Sequence, residues 1–149
     1  MRSASYPFIG AEAWGIEDGP RVPLRVSSED RSKSIITYAL IDTGASYCVF
    51  PAELASYLDH DLKSPNVEIH KARTFNGRTV KTYRHTFHVE ILRADHKTVI
   101  ASNKMLVPCV PGLGDPLLGV QDGLCTFSVA VNYPARTTRL NWADPRPTK

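Results

Sequence analysis

The sequence predicts a predominantly β protein, organised as a small barrel or sandwich. Several segments alternate apolar and polar residues with the period of two that a half-buried strand requires. Turn signals lie between these segments, at "EDGP" (17–20), "SSEDRSK" (27–33), "NG" (76–77), "PGLGDP" (111–116) and "YPART" (133–137). Helical periodicity is sparse, which argues against alternating β-α units.

Four segments predict strands with one buried face. Their apolar positions are Val22, Leu24 and Val26; Phe87, Val89 and Ile91; Phe127, Val129, Val131 and Tyr133; and Leu140 and Trp142. The run from Ile35 to Ile41 differs because it is apolar at both parities. That pattern predicts a central strand covered on both sides.

Two short segments favour helix. In "PAELASYLDHDL" (51–62), Pro51 suits a first helical turn, and Leu54, Ala55 and Leu58 share one face. The segment "GVQDGL" (119–124) predicts one or two turns at most. The sequence therefore predicts one or two short helices beside the strands.

Length and charge narrow the class of protein. A chain of 149 residues fits one domain, since single cores of about 100–200 residues are common. The 18 Lys and Arg against 15 Asp and Glu give a net charge of +3, too small and scattered to indicate nucleic-acid binding. No segment has the roughly 18–20 continuous apolar residues of a membrane span, and the N-terminus lacks a secretion signal.

The three cysteines show no paired spacing for a metal. Cys48, Cys109 and Cys125 are therefore expected to be buried or partly buried free thiols in a reducing cytoplasm. His85 and His88 fall on a predicted strand, where their spacing directs them to opposite faces, so surface histidines are favoured over a zinc site. Cys48 has no histidine at a motif distance and is expected to be a packed thiol, not a nucleophile.

The apolar run ends in Asp42, Thr43 and Gly44, within "TYALIDTGASYCVF". Asp and Gly favour turns, so the tripeptide alone is a weak signal. Strand parity, however, places Asp42 on the face of Ile36, Tyr38 and Leu40. A carboxylate beside an apolar stripe must be hydrogen-bonded, paired or protonated.

Three segments resemble retropepsin-like aspartic proteases in the order that family requires. "ALIDTGASYCVFP" resembles the active-site segment, "ARTFNGRTVKTYRHTFHVEI" the flap hairpin, and "DPLLGVQDGL" the apolar-apolar-Gly element before the C-terminal helix. The resemblance implies an all-β, closed barrel-like lobe over residues 1–142. The last residues, "ADPRPTK" (143–149), are proline-rich and polar and are expected to form a flexible tail. The chain is longer than the viral enzymes, which fits the cellular and bacterial branches.

The resemblance also implies the chemistry. Aspartic proteolysis uses two carboxylates that share one proton and together activate a water molecule. One chain has a single Asp-Thr-Gly, so an active protease would be a homodimer with Asp42 from each subunit at the axis. Its substrate would be an extended peptide, and no cofactor or metal is implied.

Neighbouring residues receive roles from the same resemblance. Thr43 would brace the loop across the axis, and the Gly44 N–H would reach a carboxylate oxygen. Residues expected to contact substrate are Ala45 and the flap-tip residues Phe75, Asn76, Gly77 and Arg78. Residues expected to support the catalytic loop are Leu117, Leu118 and Gly119. Gln121 and Asp122 stand where many viral members carry an Arg-Asn or Arg-Asp pair at the dimer interface.

Two alternatives remain open from the sequence. The same fold could serve as a non-catalytic dimerisation or peptide-binding module that retains Asp42 without a working dyad. The chain could also be one domain excised from a longer polyprotein.

Overall fold

A computed structural model describes residues 1–11, 16–60, 68–73 and 77–144. Within these ranges the chain is mostly β, with two short helical segments. The strands are β1 (Arg2–Pro7), β2 (Ile9–Ala11), β3 (Ile16–Gly19), β4 (Arg21–Ser27), β5 (Ser34–Ile41), β6 (Phe50–Pro51), β7 (Glu68–Arg73), β8 (Thr79–Leu92), β9 (Val99–Val110), β10 (Leu117–Leu118), β11 (Ser128–Asn132) and β12 (Thr137–Trp142). The helical segments are α1 (Ala52–Tyr57) and a π-turn (Val120–Leu124).

The main sheet forms a nearly closed barrel. Its strand order is β10-β5-β4-β8-β9-β6, with β7 pairing to β8 beyond the path. A bridge between Val49 and Leu117 joins the two ends of this order, because Val49 directly precedes β6 and Leu117 begins β10. The closure places the loop that follows β5 against β10.

A smaller sheet joins the two ends of the described chain. Its order is β1-β12-β11, so the N-terminal strand pairs with the last strand of its own chain. The buried hydroxyl of Tyr6 in β1 donates to the Leu92 carbonyl at 2.8 Å and ties this sheet to the barrel. Burial raises the pKa of the Tyr6 hydroxyl to about 12, so it remains a donor.

The barrel interior confirms the predicted inward-facing residues, but β4 is buried on both faces and not on one, since Arg21, Pro23 and Ser27 are buried too. Side chains from β4 and β8 that point inward are at most 5% exposed: Val22, Leu24, Val26, Phe87, Val89 and Ile91. Each fully buried apolar side chain of this size contributes roughly 1.5–3 kcal/mol relative to exposure. Leu140 of β12 belongs to the same core, so the small sheet and the barrel are packed together.

β5 was predicted as a central strand with two covered faces, and that prediction is wrong. Ile36 is 44% exposed and Tyr38 is 36% exposed. β4 pairs with β5 along its length, whereas β10 pairs only with Leu40 and Ile41. The stripe before Asp42 is largely exposed, although the Tyr38 ring contacts His96.

Helix α1 confirms the predicted apolar face and corrects the predicted bounds. Leu54, Ala55 and Leu58 are all buried. Pro51 is the extended N-cap at φ −60° and ψ 140°, not part of the first turn. The helix ends before Leu58 because Asp59 adopts φ +61°, a left-handed conformation that stops the helix. The predicted helical residues 61–62 lie outside the described residues.

Three smaller predictions are corrected. The turn predicted at 17–20 is misplaced. Asp18 and Gly19 are the last residues of β3, and of the four only Pro20 lies in a bend. Tyr133 was placed with the strand alternation, but it follows β11 in a turn and is 68% exposed. Cys125 is exposed, whereas Cys48 and Cys109 are buried free thiols as predicted.

The predicted tail begins with described residues. Asp144 forms ion pairs with Arg2 and, at 3.9 Å, with the N-terminal ammonium group. These pairs are exposed and therefore weak. Residues 145–149 lie outside the described part of the chain. Within that part, no helix has the length and apolar character that crossing a membrane would need.

Candidate active site

Asp42 lies at the point where β5 ends against β10. Its N–H donates to the Leu118 carbonyl at 3.2 Å, and its own carbonyl accepts the Ala45 N–H at 3.2 Å. The first bond holds Asp42 to the core, since Leu118 is fully buried. The second closes a tight turn over Thr43 and Gly44, so the chain reverses immediately after the carboxylate.

The carboxylate of Asp42 is oriented by its own loop. The Gly44 N–H donates to Asp42 Oδ1 at 3.0 Å, which is the bond that the sequence led us to expect. A Cβ on residue 44 would lie 3.3 Å from that oxygen, so glycine permits the close approach. Asp42 is partly exposed, while Thr43 and Gly44 are exposed, so the site opens to solvent in the single chain.

Backbone hydrogen bonds fasten the loop of residues 42–49, here called the Asp42 loop, to the segment at 117–121. Val49 and Leu117 exchange N–H to carbonyl bonds at 3.1 and 2.8 Å. Ala45 and Ser46 accept the N–H groups of Val120 and Gln121 at 2.9 and 2.8 Å. The predicted supporting residues Leu117, Leu118 and Gly119 therefore lie directly against this loop.

Asp122 adds a side-chain attachment that sequence reasoning missed. Its Oδ1 accepts the Cys48 N–H at 2.9 Å, and the Gly119 N–H donates to Cys48 Sγ at 3.4 Å. Burial and a hydrogen bond to Asp122 raise the pKa of the Cys48 thiol far above its usual range. Cys48 is therefore a packed thiol, as predicted. Asp122 Oδ1 is thus directed to the backbone of its own chain.

A partly buried ion pair secures the other side of β10. Arg21 Nη2 lies 2.8 Å from Asp115 Oδ2, and Arg21 Nη1 donates to the Ile9 carbonyl at 2.7 Å. Asp115 comes two residues before β10, so the pair fixes the segment that supports Asp42. The only sequence signal for this ion pair was an arginine at the start of an apolar strand. Its partner, Asp115, is 94 residues away.

The predicted flap corresponds to the hairpin of β7 and β8. These strands pair antiparallel, with Arg73 opposite Thr79. Gly77 adopts φ +80°, the left-handed conformation expected of a residue in a tight turn, and Arg78 is exposed. Phe75 and Asn76 lie outside the described residues. Of the predicted substrate contacts, Ala45 in the Asp42 loop is partly exposed.

The histidines differ partly from expectation. His85 and His88 occupy opposite faces of β8 as predicted, but His85 is only 4% exposed and not a surface residue. Its Nδ1 lies 3.2 Å from His60 Nδ1, and both rings contact Phe87. Within the described ranges, no three His, Cys, Asp or Glu side chains are grouped to hold a metal ion.

The His60 environment predicts a pH-dependent stability. Burial lowers the pKa of His60 below 6.5, against an opposing effect of the Glu29, Asp30 and Asp59 carboxylates. The unfolded chain therefore binds the proton more tightly than the folded chain. The contribution of His60 to stability is present in full above pH 6.5 and is lost as the pH falls. We expect a lower free energy of unfolding at about pH 5 than at about pH 7.5, measured by urea denaturation.

One variant isolates this effect. His60→Gln should flatten the slope between about pH 5 and 7.5. Asp30 and Asp95, each with a pKa lowered to about 2 by hydrogen bonds, stay ionised throughout that range. An unchanged slope in His60→Gln would contradict the assignment to His60.

Comparison with known proteins supports the fold. No family model matches this sequence, and no curated protein matches it at a significant level. The chain resembles the crystal structure of a retropepsin-like aspartic protease from Rickettsia conorii, with a TM-score of 0.52 and 18% sequence identity. The match covers 95% of this chain and 93% of the other. It confirms the predicted fold class, a barrel-like retropepsin-like lobe.

Proposed function

We propose that this chain is an aspartic endopeptidase whose active site forms from two copies of Asp42. The observation that carries the proposal is the Asp42 loop. It presents a carboxylate to solvent, orients that carboxylate by the Gly44 N–H and anchors the backbone to Leu118. A rigidly held carboxylate at an open surface suits proton transfer, since catalytic groups must be positioned before reaction.

The chemistry follows from pairing two such carboxylates. Like charges a few Å apart cannot both ionise, so one Asp42 keeps a proton. The ionised Asp42 acts as general base on a water molecule that attacks the peptide carbonyl. The protonated Asp42 donates to that carbonyl oxygen and later transfers a proton to the leaving amine. Thr43 and Gly44 hold the loop, and the β7–β8 hairpin covers an extended peptide.

The edge of β11 suits pairing with a second copy. β11 pairs with β12 on one side and, among the described residues, with no strand on the other. The strand from Ser128 to Asn132 has no charged residue and no proline. Charged side chains and proline are features that keep an edge strand from pairing with another chain. A two-fold axis at Ala130 sets Ser128 against Asn132 and Val129 against Val131. Only three residues separate β11 from the π-turn that braces the Asp42 loop.

The opposite edge of the small sheet is less suited to pairing. β1 begins with Arg2 and ends with Pro7, which has no N–H to donate. Self-pairing at β11 would extend the three-stranded sheet across the axis into the second copy. We therefore assign the homodimer contact to β11.

A lysine at the centre of this edge should prevent association. In Ala130→Lys, two ammonium groups would face each other across the two-fold axis, and like charges in directly opposed positions destabilise paired strands. We expect the dimer dissociation constant to rise about tenfold or more, equivalent to about 1.4 kcal/mol, by analytical ultracentrifugation. Ala130 is exposed, so the fold should be unaffected.

Two exposed positions serve as controls for this variant. Ser3→Lys places the same charge on β1, and Ala135→Lys places it in the turn after β11. Both should associate like the wild type. If Ser3→Lys weakened dimerisation and Ala130→Lys left it unchanged, the dimer contact would lie at β1, the other edge of the small sheet.

The concentration dependence of cleavage tests the function itself. If each site needs two chains, the rate per chain should rise with protein concentration and level off once dimers dominate. Fragments of an unfolded protein substrate, identified by mass spectrometry, provide the measurement. A dimer that cleaves no peptide would favour the alternative, a non-catalytic dimerisation or peptide-binding module.

A further inference from the structure

We propose that Asp122 is a positioning residue for Asp42, holding the far end of the Asp42 loop by accepting the Cys48 N–H. The inference rests on the proposed function, because it concerns the geometry of the same catalytic carboxylate. Asp122 itself is directed at the loop backbone and not at the reacting atoms. Its effect is transmitted through residues 43–48.

The attachment joins segments that are distant in sequence. Asp122 lies 74 residues beyond Cys48, in the π-turn closed by the bond from the Leu124 N–H to the Gly119 carbonyl at 3.0 Å. A π-turn contains one more residue per hydrogen-bonded turn than an α-helix and changes the direction of its side chains. Here that turn lets the Asp122 carboxylate reach the Cys48 N–H.

Close packing does not fix Asp122 by itself, because the residue lies between two cavities. One, of about 270 Å³, has an apolar wall that includes Leu118 and Phe127. The other, of about 280 Å³, lies beside Tyr47, Arg84 and Leu106. Asp122 and Met105 line both cavities. Since open space flanks Asp122, its carboxylate is held by the hydrogen bond from the Cys48 N–H and not by close packing.

The position of Asp42 depends in turn on the loop being held at both ends. Leu118 fixes the Asp42 N–H at one end, and at the other end Asp122 accepts the Cys48 N–H beside the paired bonds of Val49 and Leu117. The Gly44 N–H that orients the carboxylate lies between these points. A looser second end therefore lets Gly44 shift relative to Asp42 Oδ1, and displacements of about 1 Å can reduce rates about 100-fold.

The kinetic test compares two substitutions at one position. Asp122→Ala removes the acceptor, and kcat for peptide cleavage should fall about 10- to 100-fold while KM changes less than about threefold. Asp122→Asn retains an acceptor oxygen for the Cys48 N–H and should recover kcat to within about threefold of the wild type. Glu53→Ala removes an exposed carboxylate from α1 and serves as the control.

A second readout needs no activity. Amide hydrogen exchange at the Cys48 and Cys109 N–H groups is followed by NMR in the wild type, Asp122→Ala and Asp122→Asn. Cys109 is buried in β9 and reports global opening. We expect Asp122→Ala to accelerate exchange at Cys48 at least about tenfold over Cys109, and Asp122→Asn to restore the wild-type rate.

The outcomes separate the two proposals. Equal acceleration at Cys48 and Cys109, or wild-type kcat in Asp122→Ala, would overturn the positioning role. If the wild-type dimer cleaves no peptide, the proposed protease function is contradicted. The Cys48 measurement then decides alone whether Asp122 holds the loop, and an unchanged Cys48 rate would overturn that as well.

Discussion

Replacing Asp42 by Asn is expected to lower kcat for peptide cleavage by about 10³-fold or more. The substitution removes the general base and the general acid from both subunits at once, and each such role contributes about 10²–10⁴-fold. The shape of the side chain is nearly unchanged, and the Asn oxygen can still accept the Gly44 N–H. The loss should therefore appear in kcat without a change in the free energy of unfolding, measured by urea denaturation.

A matched carboxylate elsewhere controls for this substitution. Asp59 has 70% of its side chain exposed and forms an ion pair with Lys33 at 2.9 Å. It adopts φ +61°, which Asn tolerates, so Asp59→Asn should fold and cleave like the wild type. Full activity in dimeric Asp42→Asn would refute the aspartic mechanism. An Asp42→Asn protein that neither folds nor dimerises would show a structural role for the carboxylate.

Local sequence patterns predicted the strands and the position of the candidate site. Alternation at Phe87, Val89 and Ile91 reflects a face of β8 that is buried beside a partly exposed one, so period alone identifies it. The Asp42 turn is similarly local, since Gly44 and Asp42 are two residues apart. The bonds of such a turn are decided by neighbouring residues, and these are visible in the sequence.

The exposure of the strand before Asp42 could not be predicted in the same way. Ile36 and Tyr38 have the apolar character of covered residues, but coverage of a strand face depends on which distant segments pack over it. Tyr38 contacts His96, 58 residues away, and is still 36% exposed. What packs over a face is not encoded in the apolar pattern of β5.

The residue pairs that the sequence did not predict are far apart along the chain. Arg21 with Asp115, Cys48 with Asp122 and His60 with His85 are pairs separated by 94, 74 and 25 residues. Each pair depends on the fold bringing distant segments together. A sequence motif records residues that are close along the chain, and these pairs are not.

Gly119→Ala is expected to have the largest effect on stability among the substitutions proposed for the support of the Asp42 loop. Gly119 adopts φ −86° and ψ 177°, an extended conformation open to any residue, so backbone strain does not explain the glycine. The constraint is space. An added Cβ would lie 2.3 Å from the backbone carbon and oxygen of Tyr47, and a contact of that length forces the two segments apart.

The backbone of Tyr47 cannot rotate away as a side chain can, and it lies between the two ends that hold the Asp42 loop. We expect Gly119→Ala to lower the free energy of unfolding by about 3 kcal/mol, with a fall in Tm of about 10 °C. Cleavage should fall with it, because the bonds from Val120 and Gln121 to the loop would lengthen. Calorimetry and urea denaturation measure the stability change directly.

Gly114→Ala provides the matched control for this prediction. Gly114 lies in the turn before β10, and a Cβ there would meet no atom within 4 Å. The same one-carbon addition should therefore change the free energy of unfolding by less than about 0.5 kcal/mol. Equal stability of the two variants would contradict the close contact between Gly119 and Tyr47. Destabilisation confined to Gly119→Ala would show that the chain depends on the backbone contact between Gly119 and Tyr47, where the segment after β10 meets the Asp42 loop.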